Sequence, residues 1–335
     1  MTTVVTGASG LLGHNLVRLL LDEGRTVRAL DREFIAFDGL DAETVTADIR
    51  HPDALRPAFE GADVVYHLAA LISLSRDDAH PVHETNVVGT RNVARACLAA
   101  GVRRMVHISS IHALSALPLD EPIDETRPLT TDDDCLPYDR SKAAGEQEVR
   151  AAVADGLDAV IVNPTSFIGP HDYRPSHMGG ALLKLARGKL PMLFDGGFDW
   201  VDVRDVAQGA LAAEKRGRTG ESYLLSGRWC SLRDLGRMVA EAAGVPAPRL
   251  HLPLWLARLA LPFFAIGARL TRRPSLYTRD TLDILQRHRL VCHDKATREL
   301  GYEPRPLEAT IRDTVAWLRD NAHRLVSGGN GHAAA

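Results

Sequence analysis

Thr6-Gly7-Ala8-Ser9-Gly10-Leu11-Leu12-Gly13 follows a β-rich run, Thr2–Thr6, and opens a stretch, Leu11–Leu21, whose leucines and valine recur at helical spacing. Strand, turn and helix in that order ask for glycine at each of its places. Gly7 permits a tight turn, Gly10 lets a pyrophosphate approach the backbone, and Gly13 lets the helix pack closely on the strand. The helix N-terminus, with Leu11 and Leu12 at its start, presents free N–H groups and the positive end of a dipole to phosphates. The spacing is GxxGxxG, a variant of the usual GxGxxG. In this context it reads as a dinucleotide-binding turn.

Beyond the turn the same alternation continues. Thr26–Leu30, Val45–Ala47, Asp63–Leu68, Arg104–Ser109 and Ala159–Asn163 read as strands, with Val87–Ala100 and Pro137–Val153 as helices between them. The near-continuous apolar run at 63–68 suits a parallel sheet covered on both faces. The expected fold class is therefore α/β, a doubly wound parallel sheet with a smaller C-terminal substrate-binding region. After about residue 170, prolines break the chain into shorter pieces, of which Leu190–Phe194 and Ser222–Leu225 still look like strands. The expected division is 1–170 for the nucleotide-binding part with later strands returning to its sheet, 171–322 for the cap, and 323–335 for a fraying tail.

The chain has 335 residues, 40 Lys+Arg against 43 Asp+Glu, 45% hydrophobic and 25% charged residues. That composition excludes disorder, collagen-like repeats and a bare coiled coil. A net charge of −3 argues against a nucleic-acid partner and leaves a small molecule as the expected one. Cys97, Cys135, Cys230 and Cys292 form no CxxC pair, which suits a reducing cytoplasm. There is no basic leader, and Arg258 and Pro262 interrupt the apolar stretch 252–270, so no membrane span is expected.

Asp31 closes the second strand, where an acidic group accepts hydrogen bonds from the adenosine ribose and repels a 2′-phosphate. That favours NAD, while Arg32 beside it keeps NADP open. Further on, Tyr138-Asp139-Arg140-Ser141-Lys142 begins a helix, so Tyr138 and Lys142 share a face. A fixed ammonium favours the phenolate and brings the phenol's pKa towards working pH. The strand before it ends in Ser109-Ser110, whose hydroxyls could hold a substrate oxygen beside the tyrosine.

Taken together, TGASGLLG, the strand-end serines, YDRSK, and Asn163-Pro164 ahead of Ile168-Gly169-Pro170 resemble the extended short-chain dehydrogenase/reductase family, which includes the NAD-dependent epimerase/dehydratases. The resemblance runs to about residue 320 and implies a Rossmann-type fold. It implies Tyr138 as acid/base, Lys142 as the residue that lowers its pKa and holds the nicotinamide ribose, and Ser110 as the group orienting the carbonyl or alcohol, with Ser109 as the neighbouring candidate. Asp48-Ile49 resembles the family's adenine-binding pair, and Leu68-Ala69-Ala70 the loop over the cofactor. Asn86 matches the family's helix asparagine and Pro164 the turn beside the nicotinamide. A homodimer is a further expectation from the resemblance.

The branch is read from departures. Ser110-Ile111-His112 lacks the acidic pair of the dehydratases, Phe198 stands roughly where nucleotide-sugar enzymes carry an arginine, and Ala113-Leu114 replaces a common tyrosine-glycine. The apolar block Trp255, Leu256, Leu259, Leu261, Phe263, Phe264 and Ile266 resembles the 3β-hydroxysteroid dehydrogenase and dihydroflavonol 4-reductase branch. It reads as a hydrophobic lid, as core, or, with Arg269, Arg272 and Arg273, as a membrane-surface helix. The leading reading is an NAD(P)-dependent oxidoreductase acting on a bulky, mostly apolar alcohol or ketone. A nucleotide-sugar epimerase with retained NAD and a non-catalytic NAD(P)-binding regulator are the alternatives. His80 and His83 lack further ligands, so no metal site is expected. His112 reads chiefly as a surface or packing residue, Asp132–Asp134 as a solvated loop, and Asp202 and Asp205 as braces for a helix near Val206.

Overall fold

Thr2, Thr3, Val4, Val5 and Thr6 stiffen the chain at χ1 and favour extended backbone. In the computed structural model they form an inner strand of a sheet. The structure describes residues 1–37, 39–131, 135–175, 177–259, 261 and 279–325. The strands are β1 (Thr2–Thr6), β2 (Thr26–Asp31), β3 (Glu43–Thr46), β4 (Val64–His67), β5 (Arg104–Ile108), β6 (Ala159–Pro164), β7 (Ser166–Ile168), β8 (Met192–Phe194), β9 (Gly197–Asp202), β10 (Ser222–Leu225), β11 (Arg228–Ser231) and β12 (Leu250–Leu252). The helices are α1 (Leu11–Asp22), α2 (Pro52–Phe59), α3 (Ala79–His83), α4 (Gly89–Ala100), α5 (Pro137–Ala154), α6 (His177–Ala186), α7 (Val203–Arg216), α8 (Leu232–Ala243), α9 (Arg279–Ile284), α10 (Asp294–Leu300) and α11 (Leu307–Asp320).

The main sheet runs β10-β6-β5-β4-β1-β2-β3 and every pairing in it is parallel. Alternate side chains go to opposite faces, which is what two coats of helices require. Val5, Val27, Tyr66, Val106 and Val160 pack with Leu16, Leu20, Val206 and Ala210 of α1 and α7. Val4, Leu30, Val65, Met105 and Ile161 pack with Leu55, Phe59, Val93, Cys97 and Val149 of α2, α4 and α5. The chain travels outward from β1 to β3, then returns to lay β4 on the other side of β1. That reversal opens a crevice at the carboxyl ends of β1 and β4, the place where doubly wound sheets bind ligands.

A second core holds the later residues. β11, β9 and β7 form a three-stranded sheet, and Ile168, Trp200, Leu182, Leu235 and Ile311 gather around it from α6, α8 and α11. The expected strand at 190–194 forms as β8, yet it pairs with β12 in a separate two-stranded sheet. Ser222–Leu225 does return to the main sheet, alongside β6. The helix expected from Val87 is preceded by a π-turn, Glu84–Val88. Asp202 caps α7 by accepting the Arg204 N–H at 2.7 Å, while Asp205 holds Arg305, so the helix begins at Val203 rather than near Val206.

Within the apolar stretch 252–270, residues 254–259 are helical. Leu254 and Ala257 are buried against Phe194, Leu282 and Leu285, with Leu261 packed on them, whereas Trp255 and Leu259 are 63% and 64% exposed. Phe263, Phe264, Ile266, the arginines at 269, 272 and 273, Asp132–Asp134 and most of the expected tail lie outside the described residues. Among the described residues no helix is long and apolar enough to cross a membrane.

Candidate active site

The glycine turn fills one side of the crevice. Gly7 has φ +71°, and a Cβ there would stand 2.7 Å from the Ala69 nitrogen, so glycine satisfies both the backbone and the close approach of the loop after β4. A Cβ on Gly13 would strike the Gly7 and Ala8 carbonyl oxygens. Gly10 differs from both: a Cβ there would meet only the Gly7 oxygen, at 3.4 Å, with open space beyond. Gly10 is also the N-cap of α1, and among the described residues no side chain caps the N–H groups that follow, beginning with Leu11 and Leu12. This cradle fits a diphosphate by shape and by dipole.

Asp31 ends β2 against the turn. One carboxylate oxygen accepts the Ser9 N–H at 2.9 Å and the other the Arg32 N–H at 2.7 Å, so it organises the turn. Arg32 is exposed. Asp48 is held by the Arg50 guanidinium at 2.7 Å; burial raises its pKa, but the Arg50 hydrogen bonds outweigh that and leave it below the ordinary value. Ile49 turns its side chain into the core, and its carbonyl accepts from Asn92.

Leu68 and Ala69 donate their N–H groups to the Thr6 hydroxyl, which locks the loop after β4 beside Gly7. Ala70 and Leu71 follow, and Asn86 in the π-turn clamps Leu71 on both its N–H and its carbonyl. The same Asn86 amide donates to the Ser141 hydroxyl at 2.9 Å, and Ser141 donates to the Tyr138 carbonyl. One buried asparagine thus ties the loop to the helix bearing the tyrosine.

Tyr138 and Lys142 lie one turn apart on α5. Lys142 is 4% exposed, and its Nζ donates to the Ile108 carbonyl at the end of β5 at 2.9 Å. Burial brings its pKa down to about 8, against the raising influence of Glu146. The Tyr138 phenol is pushed up to about 12, first by burial and then by the Asp139 carboxylate, with a hydrogen bond to the Ser110 side chain acting the other way. Helical spacing alone predicts that the ammonium pulls the phenol down. In this structure the ammonium is directed to the Ile108 carbonyl, and burial wins.

Of the two serines, Ser110 is the one whose side chain bonds the phenol, while the Ser109 hydroxyl is buried with no partner among the described residues. Ser110 caps a short 3-10 turn, Ile111–Ala113, by accepting the His112 N–H. Its carbonyl is held by Asn163 from β6, whose amide also donates to the buried Glu146. Pro164 follows Asn163 at the end of β6, paired with Leu225. His112 is nearer the centre than the sequence suggested, its ring 5.9 Å from that of Tyr138. Arg287 and His288, which no local pattern singled out, reach the same place and line a small pocket with Ile111, His112, Thr165 and Phe198. Phe198 stacks edge-on to Trp200 at 5.3 Å. The pocket lining combines the apolar Ile111 and Phe198 with histidine, arginine and Asp199.

A sequence model described as the NAD dependent epimerase/dehydratase family matches residues 3–226. "Sterol demethylase protein B" of Methylococcus capsulatus is 37% identical, with 96% of this chain and 99% of that protein covered. A ketoreductase of Stigmatella aurantiaca, named for 4-hydroxy-2-methyl-3-oxo-4-farnesyl-3,4-dihydroquinoline-1-oxide, is 34% identical over 91% of this chain and 92% of its own. The crystal structure of gox2253 superposes with a TM-score of 0.83 at 35% identity, covering 97% of this chain and 99% of that one.

Proposed function

The chain belongs to the NAD-dependent epimerase/dehydratase family, and we propose that within it the protein is an oxidoreductase interconverting an alcohol and a ketone on a bulky, mostly apolar substrate, with NAD favoured over NADP. The observation that carries this reading is the convergence of the Ser110 hydroxyl, the Tyr138 phenol and the Lys142 ammonium at the carboxyl end of β5, in a sheet whose neighbouring crevice holds an open glycine turn. The similarity to a ketoreductase with a farnesylated substrate and to a sterol demethylase protein supports a large apolar molecule. So does Phe198 in the substrate pocket.

A bound nicotinamide supplies the hydride for reduction or accepts it in oxidation. Ser110 holds the substrate oxygen, and Tyr138 gives that oxygen its proton in reduction or takes the proton in oxidation. The buried Lys142 ammonium, held at the end of β5 by the Ile108 carbonyl, is placed to hold the ribose. Asp31, Gly10 and the first N–H groups of α1 take the adenosine ribose and the diphosphate, with Asp48-Ile49 and Leu68-Ala69-Ala70 along the same edge.

The test offers NAD with a 3β-hydroxysteroid in one arm and UDP-glucose in the other, following NADH absorbance and sugar products. Net NADH from the steroid alcohol is the expected result. Conversion of UDP-glucose with no net NADH would replace this reading by an epimerase.

A further inference from the structure

Asp139 follows Tyr138 on α5 and is 3% exposed. Its Oδ1 lies 3.1 Å from His112 Nδ1 and its Oδ2 3.4 Å from Arg287 Nη1. The His112 contact is close but off the angle of a hydrogen bond, so both of those atoms stay without an aligned partner among the described residues. His112 also stands edge-on to Tyr138 at 5.9 Å and to His288 at 5.0 Å. Among the described residues, the pocket beside this cluster also holds Asp199 from β9 and His288, whose pKa burial drives well below the ordinary value and so keeps neutral, and Lys142 lies one turn on from Tyr138 along α5.

A buried carboxylate beside a phenol opposes loss of the phenol's proton, and a cation on the carboxylate weakens that opposition. Asp139 already acts on Tyr138 in this sense. The guanidinium and the imidazole approach its two oxygens from outside α5, one from the 3-10 turn and one from the segment after α9. Neither is needed to hold the glycine turn, and among the described residues neither side chain bonds Ser110 or Lys142. We propose that Asp139, with Arg287 as its counter-charge, is the positioning residue that sets how readily the Tyr138 hydroxyl releases its proton. The proposal rests on the reading of Tyr138 as the proton-transferring group, and it adds a control that the YxxxK pair alone does not contain.

The phenolate can be titrated by its ultraviolet absorbance in NAD-saturated protein, each variant read against the same variant carrying Tyr138→Phe, so that the other tyrosines cancel. Asp139→Asn should lower the midpoint by about one pH unit, and Arg287→Gln, at a partly exposed position, should raise it. The double variant should coincide with Asp139→Asn, because the guanidinium then has no carboxylate to neutralise. Arg287→Gln alone serves if Asp139→Asn does not fold. An unmoved midpoint in Arg287→Gln, or a double variant displaced from Asp139→Asn, would overturn the proposal. Failure of the reading beneath it looks different: Tyr138→Phe would then keep its turnover whatever the midpoints do.

Discussion

The glycine-turn wall of the site and the pocket wall opposite are built by different means. Residues 6–13 and 67–71 make the first largely with backbone, through N–H groups and carbonyls braced by the Thr6 hydroxyl and the Asp31 carboxylate, with Gly7 and Gly13 leaving no room for a Cβ. The second gathers the side chains of Ser110, His112, Tyr138, Phe198, Arg287 and His288 from across most of the chain. Backbone walls are intolerant and generic, because any diphosphate presents the same face. Side-chain walls are replaceable residue by residue, so one fold can serve many substrates.

Tyr138→Phe strikes the pocket wall hardest. Turnover should fall on the order of 10³-fold, while NAD still raises the melting temperature as in the parent. A variant with near-normal NADH production would remove Tyr138 from the proton transfer. On the other wall, two identical substitutions should part company. Gly13→Ala forces a methyl onto the Gly7 and Ala8 carbonyls and should cost about 3 kcal/mol in thermal or urea unfolding. Gly10→Ala meets open space, so the fold should survive with NAD affinity reduced roughly tenfold or more by calorimetry. Normal NAD binding by Gly10→Ala would mean that the diphosphate lies elsewhere.

Asp31→Ala leaves the Ser9 and Arg32 N–H groups without their acceptor. A lost charge-assisted bond of about 1.5–3 kcal/mol should cut the preference for NAD over NADP roughly tenfold. An unchanged ratio of the two dissociation constants would assign the preference to other residues. The smallest effect concerns the ground beneath both walls. Burial lowers His67 to about 3 and His14 to about 4, and it drives His107 well below its ordinary value. Such histidines resist protonation in the fold but not in the unfolded chain. Stability is therefore full above the unfolded value near 6.5 and is lost as pH falls below it towards the folded values. Melting temperature should be level between pH 8 and 7 and decline below about 6.5. Neither ring nitrogen of His107 has a partner among the described residues, so His107→Leu should be close to neutral at pH 7.5 and soften the acid decline. An equal or steeper decline in that variant would assign the acid sensitivity to other groups.

How much of this the sequence revealed follows the same divide. The need for glycine at 7 and 13 is local, since it arises from atoms a few residues away or from one neighbouring loop. The shared face of Tyr138 and Lys142 follows from helical spacing alone. The family resemblance marked Asn86, but spacing could not show that its amide clamps Leu71 and Ser141. Arg287 and His288 gave no signal, because their position depends on α9 and on the packing of a region with no periodicity of its own. The three-residue strand β7 and the antiparallel pairing of β9 with β11 were hidden for a similar reason: elements that short carry too few residues to display a period.

The pairing of β10 with β6 has a consequence for how the chain is made. Until Ser222–Leu225 emerges, β6 has a bare edge along Ile161, Val162, Asn163 and Pro164, a template for sticking to other chains. The ribosome needs roughly 3–12 s to synthesise the intervening residues at about 5–20 per second. Through that interval a nascent protein carries an unfinished, sticky margin. Anyone grafting a foreign cap onto this scaffold should therefore keep the late strand, since a cut near residue 170 would make the margin permanent.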